Sequence, residues 1–200
     1  IRLLKTKKPG KSKLGGSPNL PENIPWPVNP KGRELDFLAQ IHCADLPKGM
    51  GLPETGTLFF FYDTKEQPWG LDAEKDRHYH SVIYWPEEQP EKMRTSRKCS
   101  RGKKLNECFL EFSVIQTQAE MAEEEKDTEP CHQMLGFPLW LQNEDMAPGK
   151  VLLLQLDTDD ATDDCPGWQW GDDGIIYFWI SPEDLAGRNF DNVIVILECY

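Results

Sequence analysis

The chain has 200 residues, 38% of them hydrophobic and 28% charged, which is typical of a soluble globular protein with one large domain or two small ones. Its formal net charge of −12 argues against nucleic acid as the principal partner. No apolar run approaches the ~20 residues that a membrane span requires, and the first residues given lack the charged-then-apolar pattern of a signal segment. We therefore expect a cytoplasmic protein without membrane contact.

Charge is distributed unevenly along the chain. Residues 1–104 carry 19 basic and 13 acidic side chains, a balance of +6, whereas residues 105–200 carry 3 and 21, a balance of −18. Six positive charges lie in 2–13 and seven in 92–104. Such runs can attract polyanions, but they are also typical of solvated segments that the acidic half partly neutralises in the folded chain. We predict a flexible basic arm over residues 1–12 and a mobile loop over 92–104.

The first half predicts a loop followed by three strands. The segment GGSPNLPENIPWP (15–27) is rich in Gly and Pro, which is typical of a rigid extended loop. LDFLAQIHC (35–43) and GTLFFFYD (56–63) are apolar almost throughout, which favours buried strands, and SVIYW (81–85) favours a third strand.

Residues 86–130 differ in composition from the segments on either side. Within them, FLEFSV (109–114) alternates apolar and polar side chains and predicts a strand. TQAEMAEEEKD (117–127) favours a helix by propensity, and its polar character predicts that this helix lies on the surface. We interpret 86–130 as a charged insert.

Three features of the first half recur in the second half in the same order, at offsets of 120, 115 and 118 residues. They are a Gly-x-Pro loop, an apolar strand with one glutamine, and an aromatic strand that begins at a glycine. The paired positions are Gly16 and Gly136, Gln40 and Gln155, and Gly56 and Gly174. The sequence therefore predicts an internal duplication, with pseudo-repeats over about 13–85 and 131–200. The predicted fold class is α+β and β-rich: a single compact domain over 13–200, built from duplicated strand pairs with short helices.

Six separated motifs in this order resemble the YwqG-like family, a domain-of-unknown-function family found largely in bacteria. The motifs are GGSPNLPENIPWP, LDFLAQI, GTLFFFYD, CHQMLGFP, LLLQLD and WGDDGIIYFWI, and the resemblance runs from about Lys13 to Tyr200. It implies one compact β-rich domain with a duplicated core and no established activity. Some members of that family lie near polymorphic-toxin genes, which implies an immunity or accessory role.

Sequence motifs for catalysis and for cofactors are missing. The chain has no GxSxG, GxxxxGK[ST], GxGxxG or CxxC pattern, so we assign no catalytic residues, expect no cofactor or metal, and disfavour an enzyme. The six cysteines are expected to be mostly reduced and unpaired, as is usual for a cytosolic protein. The acidic stretch 157–165 is not an EF-hand, because Thr162 and Trp168 stand where that loop needs Gly and Glu. A hydrated acidic loop and an irregular calcium site stay open as alternatives.

Gln40 and Gln155 are the most informative polar residues. Each lies in an otherwise apolar strand, where an unpaired amide would cost about 1–3 kcal/mol. Either the backbone of the Gly-Pro loops satisfies them, or they line a crevice between the two repeats.

The segment GWQWGDDGIIYFWI (167–180) combines a predicted strand with a polar turn that precedes it. We expect Tyr177 to Trp179 in the core, and we interpret Trp168, Trp170, Asp172 and Asp173 as the best candidate for a site. The hypothesis is a non-enzymatic binding module that captures a basic protein partner through residues 157–173, as an immunity or accessory factor. The alternative is an enzyme or small-molecule binder that uses the crevice between the repeats. The candidate binding residues are Gln40, His132, Gln155, Asp157, Asp159, Trp168, Trp170, Asp172 and Asp173.

Overall fold

Antiparallel β-strands make up most of the regular structure in the computed structural model, which describes residues 1–87, 105–117, 130–142, 147–159 and 166–199. The basic loop predicted over 92–104 lies outside these residues, and so does the helix predicted over 117–127, apart from Thr117. The strands are β1 (Arg2–Thr6), β2 (Lys13–Leu14), β3 (Asp36–His42), β4 (Thr57–Tyr62), β5 (His80–Trp85), β6 (Cys108–Ser113), β7 (Val151–Asp157), β8 (Ile175–Ile180) and β9 (Ile194–Glu198). The two short helices are α1 (Ala73–Asp76) and α2 (Pro182–Ala186), and 3-10 turns cover Cys43–Asp45 and Phe190–Asn192.

The strands form two sheets. One has six strands in the order β1-β6-β2-β3-β4-β5, and the other has three in the order β7-β8-β9. Two isolated bridges, Arg2 with Gln133 and Gln133 with Gln155, connect β1 to β7. The prediction of a compact β-rich domain is confirmed, and the helical content is limited to two short helices in the described part of the chain. No helix among the described residues is long and apolar enough to cross a membrane.

The N-terminal residues differ from the flexible arm that their charge suggested. β1 pairs with β6 along its whole length, and the side chains of Ile1 and Leu3 are buried in the main core. Ile1 and Leu3 point inward, whereas Arg2 and Leu4 point outward, which is the period of two that a strand requires. The basic side chains among them obscure this pattern in the sequence. The region interpreted as an insert likewise contributes β6, which pairs with both β1 and β2.

The core has one large inner part and two smaller outer parts. The inner part joins the two sheets, and the rings of Phe60 on β4 and Phe178 on β8 meet there at 5.3 Å. The outer parts lie beneath the two Gly-Pro loops. Leu20, Phe59 and Phe61 belong to the first, and Leu152, Tyr177 and Trp179 belong to the second. Burial of each such side chain contributes about 1.5–3 kcal/mol, so the loops cover surface that the strands would otherwise expose.

The strand pairs β3–β4 and β7–β8 share one register relative to their glutamines. Gln40 stands opposite Phe59, and Gln155 stands opposite Tyr177. Both pairs shift register at the same place, between Phe37 and Ala39 in one and between Leu152 and Leu154 in the other. A one-residue slip of a strand would move all its side chains to the opposite face of the sheet. Because the two pairs share one register, corresponding residues of β3–β4 and β7–β8 point inward.

Candidate functional site

Both glutamines fasten a Gly-Pro loop to a strand. Gln40 Oε1 accepts a hydrogen bond from Asn19 N at 2.7 Å, and its Nε2 donates to Lys11 O at 2.7 Å. Gln155 Oε1 accepts from Leu139 N at 2.9 Å, and its Nε2 donates to Cys131 O at 2.9 Å. Asn19 and Leu139 each follow the proline of their loop. Both side chains are buried and bonded to loop backbone, so the structure gives them the first of the two roles considered for them.

The two tryptophans of the candidate segment lie inside the protein. Trp168 and Trp170 are 3% and 0% exposed, and both indole N–H groups donate to Asp157 O, at 2.9 and 3.2 Å. Their rings lie 5.4 Å apart, and the Trp170 ring meets the edge of Tyr62 at 5.9 Å. Contacts from distant strands cover these rings, which the local sequence does not reveal. The tryptophans therefore anchor the segment to the core.

Asp159 is the centre of a buried polar cluster. Its Oδ2 lies 2.9 Å from His132 Nε2, and Lys5 Nζ donates to both carboxylate oxygens at 2.9–3.0 Å. His132 Nδ1 accepts a hydrogen bond from Asp157 N at 3.1 Å, so the ring proton belongs on Nε2, which points at Asp159. Sequence reasoning missed Lys5, because 154 positions separate it from Asp159.

The Asp157 carboxyl lies at the edge of the same cluster. Burial raises its pKa, and the hydrogen bond that its Oδ2 accepts from Cys131 N at 2.9 Å opposes that rise. Its backbone oxygen holds both tryptophans. Asp157 and Asp159 thus connect β7 to the segment around Trp168, and their contacts explain how that segment is positioned.

A metal site needs several ligand side chains that converge on one point. Within the described ranges, no group of three or more His, Cys, Asp or Glu side chains is arranged to hold a metal ion. Cys43, Cys108, Cys131 and Cys199 are free thiols, and Cys99 and Cys165 lie outside the described residues.

Asp172 and Asp173 occupy an exposed turn that directly follows the buried Trp170 in the chain. Gly174 N donates to Trp170 O at 2.7 Å, which closes the turn, and Gly171 and Asp173 both have positive φ values of 52°. Gln169 Nε2 donates to Asp173 Oδ1 at 3.2 Å. No cation in the described part of the chain pairs with either carboxylate. The turn therefore presents two carboxylates on a defined backbone.

A second loop, residues 67–72, lies against this turn. Gln67 Nε2 donates to Gln169 O at 3.0 Å, and Gln67 Oε1 accepts from Gly171 N at 3.0 Å. The loop exposes Trp69 and Leu71, at 45% and 76% of their surface. Sequence reasoning missed them, although a tryptophan between Pro68 and Gly70 in a segment with no strand pattern is the kind of signal that marks an exposed aromatic residue.

The candidate residues fall into three places. His132, Asp157, Asp159, Trp168 and Trp170 form one buried cluster, while Gln40 and Gln155 lie apart beneath their own loops. Asp172 and Asp173 are on the surface, on the turn that Gln67 joins to the loop of Trp69 and Leu71. We name Trp69, Leu71, Asp172 and Asp173 the acidic ledge. It combines exposed carboxylates with exposed apolar side chains, an arrangement suited to contact with a partner molecule.

Comparison with known proteins adds a family. A family model with the description "Domain of unknown function (DUF1963)" matches residues 12–199, which is almost the whole chain. A search of curated proteins found no match.

Proposed function

The chain belongs to the DUF1963 family, whose description assigns no activity, and we propose from the site geometry that it is a non-enzymatic protein-interaction module. Its contact surface is the exposed turn with Asp172 and Asp173, and its partner is a basic protein. The observation that carries the proposal is the placement of two carboxylates without a described cationic partner on a turn that buried tryptophans hold in place.

Charge supports a basic partner. The second part of the chain, 105–200, has a balance of −18, and this field attracts positive surfaces over a distance of about one Debye length. Complementary charge of this kind accelerates and orients association.

Rigidity supports recognition as well. Trp168 and Trp170 donate to a single carbonyl, and Gln67 ties the turn to its neighbouring loop. A surface that is already ordered loses little conformational entropy on binding, so more of the contact energy appears as affinity.

The alternative, a small-molecule site in a crevice between the repeats, receives less support. Gln40 and Gln155, which would line that crevice, bond the backbone of two separate loops instead. Two other polar candidates do not join them, because His132 is buried against Asp159 and Asp172 lies on the surface.

We also infer that the two halves are copies of one ancestral unit. Every position paired in β3–β4 has a counterpart in β7–β8, 115 and 118 residues later. Ser12 Oγ accepts from His42 N in the first half as His132 Nδ1 accepts from Asp157 N in the second. The backbone bond from Leu110 N to Ser12 O corresponds to the bond from Leu3 N to His132 O. On this inference β1 belongs to the second copy and β6 to the first.

The narrower relationship that we propose is the YwqG-like group, on the order of the six motifs. With it comes the proposal of an immunity or accessory factor that acts in the cytoplasm by capturing a basic protein.

Panning a random peptide library against the full chain tests the interaction proposal. We expect the enriched peptides to be rich in Lys and Arg, and we expect their binding to weaken in the double variant Asp172→Asn/Asp173→Asn. Asparagine tolerates the positive φ at position 173, so the turn should keep its shape. The double variant Glu183→Gln/Asp191→Asn makes the same charge change at exposed positions elsewhere and serves as the control. Peptides that bind the Asp172→Asn/Asp173→Asn variant and the parent equally well would contradict the proposal.

A further inference from the structure

We propose that Trp69 and Leu71 are the apolar anchor site of the acidic ledge, and that they bind a basic segment of a partner protein through an aromatic or aliphatic side chain flanked by Lys or Arg. This proposal rests on the protein-interaction function and names the chemistry of the partner.

Exposure sets Trp69 apart from the other tryptophans. Of the seven in the chain, Trp69 alone is exposed, whereas the rest are buried or half-buried. Leu71, two residues later, is the most exposed of the large hydrophobic side chains in the described residues. Large apolar side chains that stand together in water are typical of sites that a partner covers.

The backbone of this loop is held firmly, so the exposure is not a consequence of a loose segment. Trp69 O accepts from Leu197 N at 3.1 Å, which fastens the loop to the outer edge of β9. Tyr62 Oη donates to Pro68 O at 2.8 Å, and Gly70 N donates to Asp76 Oδ2 at 3.1 Å. The indole ring therefore stands on a fixed support, which lowers the entropic cost of binding.

Acidic residues lie on both loops of the acidic ledge. Asp172 and Asp173 belong to the neighbouring turn, which lies close because Gln67 joins the two loops and because Gly171 and Trp69 both lie against Leu197. Asp72 and Glu74 follow Leu71 in the chain, and Lys75 pairs with Asp72 at 2.6 Å. An apolar centre with a charged rim is the usual anatomy of a protein interface.

The negative charge of these acidic residues determines which kind of partner can bind at Trp69 and Leu71. Carboxylates repel nucleic acid and anionic lipid, and a second copy of the ledge would bring like charges together. A basic segment satisfies the rim while its apolar side chain covers Trp69 and Leu71.

Two fluorescein-labelled peptides of equal length and equal positive charge test this inference by fluorescence anisotropy. One places Phe and Leu among lysines, and the other has Ser at both positions. We expect the anchored peptide to bind the full chain at least about tenfold more tightly than the Ser peptide. That preference should disappear in Trp69→Ala and in Leu71→Ser, whose side chains carry none of the loop's hydrogen bonds. It should persist in Val28→Ser, which changes an exposed apolar side chain elsewhere.

The outcomes separate the two proposals. If both peptides bind equally and the Trp69 and Leu71 variants behave as the parent, while Asp172→Asn/Asp173→Asn weakens both, the anchor site is wrong and the acidic contact surface stands. If neither peptide binds the parent, the basic-partner function itself is overturned, and the anchor site with it.

Discussion

At the scale of single residues, buried polar groups on β7 serve to position the exposed turn. Asp157 is the clearest case, because its carbonyl holds two tryptophans while its carboxyl is half-buried. Burial raises the pKa of that carboxyl, so its charged form is less stable in the folded chain than in the unfolded chain. The backbone carbonyl of Asp157 therefore holds the exposed turn in place, whereas the negative charge of its side chain does not stabilise the fold.

Asp157→Asn is expected to stabilise the protein near pH 7, because it removes the cost of keeping a partly buried carboxylate ionised. A folded-state pKa above the unfolded value of about 3.9 means that ionisation costs stability above the folded pKa, and that this cost vanishes as the pH falls below the unfolded value. The gain should therefore shrink towards zero near pH 4. Urea denaturation at both pH values measures it, with Asp172→Asn as the exposed control. A gain that is larger at pH 4 than at pH 7 would show that the fold needs the carboxylate.

Substitution of Gly70 tests how closely the loop 67–72, which carries Trp69 and Leu71, approaches β9. Its φ is 80°, and a Cβ added there would overlap Val195 O. Gly49 has a similar φ of 74°, but a Cβ there would meet no atom within 4 Å. We expect Gly49→Ala to cost about 1 kcal/mol through backbone strain alone, and Gly70→Ala to cost at least about twice as much. Equal losses in thermal denaturation would mean that the loop can move away from β9 without penalty.

At the scale of elements, Gln40 on β3 and Gln155 on β7 each fasten a loop to a strand. Replacement of either by leucine leaves a partly buried backbone N–H and a partly buried backbone carbonyl without their glutamine partner, so we expect Gln40→Leu and Gln155→Leu each to cost about 1–3 kcal/mol. The cost should be similar in the two variants, because the contacts match in type. Limited proteolysis should then cut within 15–27 in the first variant and within 136–142 in the second. Gln116→Leu, at an exposed position, is the control, and a marked difference between the two variants would argue against equivalent roles.

β1 offers a matched pair of leucines on opposite faces of one strand. Leu3 is 3% exposed and packs in the main core, whereas Leu4 is 46% exposed. Leu3→Ala is expected to destabilise the fold by about 2–5 kcal/mol, and Leu4→Ala by less than about 0.5 kcal/mol. Chemical denaturation compares the two. Similar small effects would show that the packing of β1 contributes little to the stability of the fold.

Local patterns were sufficient for the elements whose side chains carry a long apolar signal. β3, β4 and β6 were predicted from their apolar or alternating character, and the backbone partners of Gln40 followed from the cost of an unpaired buried amide. β1 was not predicted, because its basic side chains obscure the alternation of inward and outward residues. β2 was not predicted, because a strand of two residues is too short to show any alternation. Burial of Trp168 and exposure of Trp69 were also missed. Both depend on contacts with strands that lie far away in the chain, which no local pattern contains.

At the scale of the whole molecule, the N-terminal half (1–104) and the C-terminal half (105–200) meet both through charged side chains and through loops. Lys5 of the basic N-terminal run pairs with Asp159 at 2.9 Å, and Lys13 pairs with Glu107 at 2.8 Å. The connections also cross over: Trp69, between β4 and β5, bonds β9, while Phe190, between β8 and β9, meets Tyr84 on β5 at 5.5 Å. The acidic ledge exists because of this crossing, since its two loops come from different halves.

Two adjacent phenylalanines on β4 test whether the halves unfold together. Phe60 faces the inner core and meets Phe178 of the other half, whereas Phe59 faces the outer core beneath the first Gly-Pro loop. Both are almost fully buried, so replacement by alanine removes a similar area, at about 3–5 kcal/mol each. We expect Phe60→Ala to accelerate amide hydrogen exchange in β3–β5 and in β7–β9 alike, because the cavity opens between them. Phe59→Ala should accelerate exchange in the first half more than in the second, measured by mass spectrometry in mild denaturant. If Phe60→Ala left β7–β9 protected, each half would be stable without the other, and the ledge that they build together would be held by its loops alone.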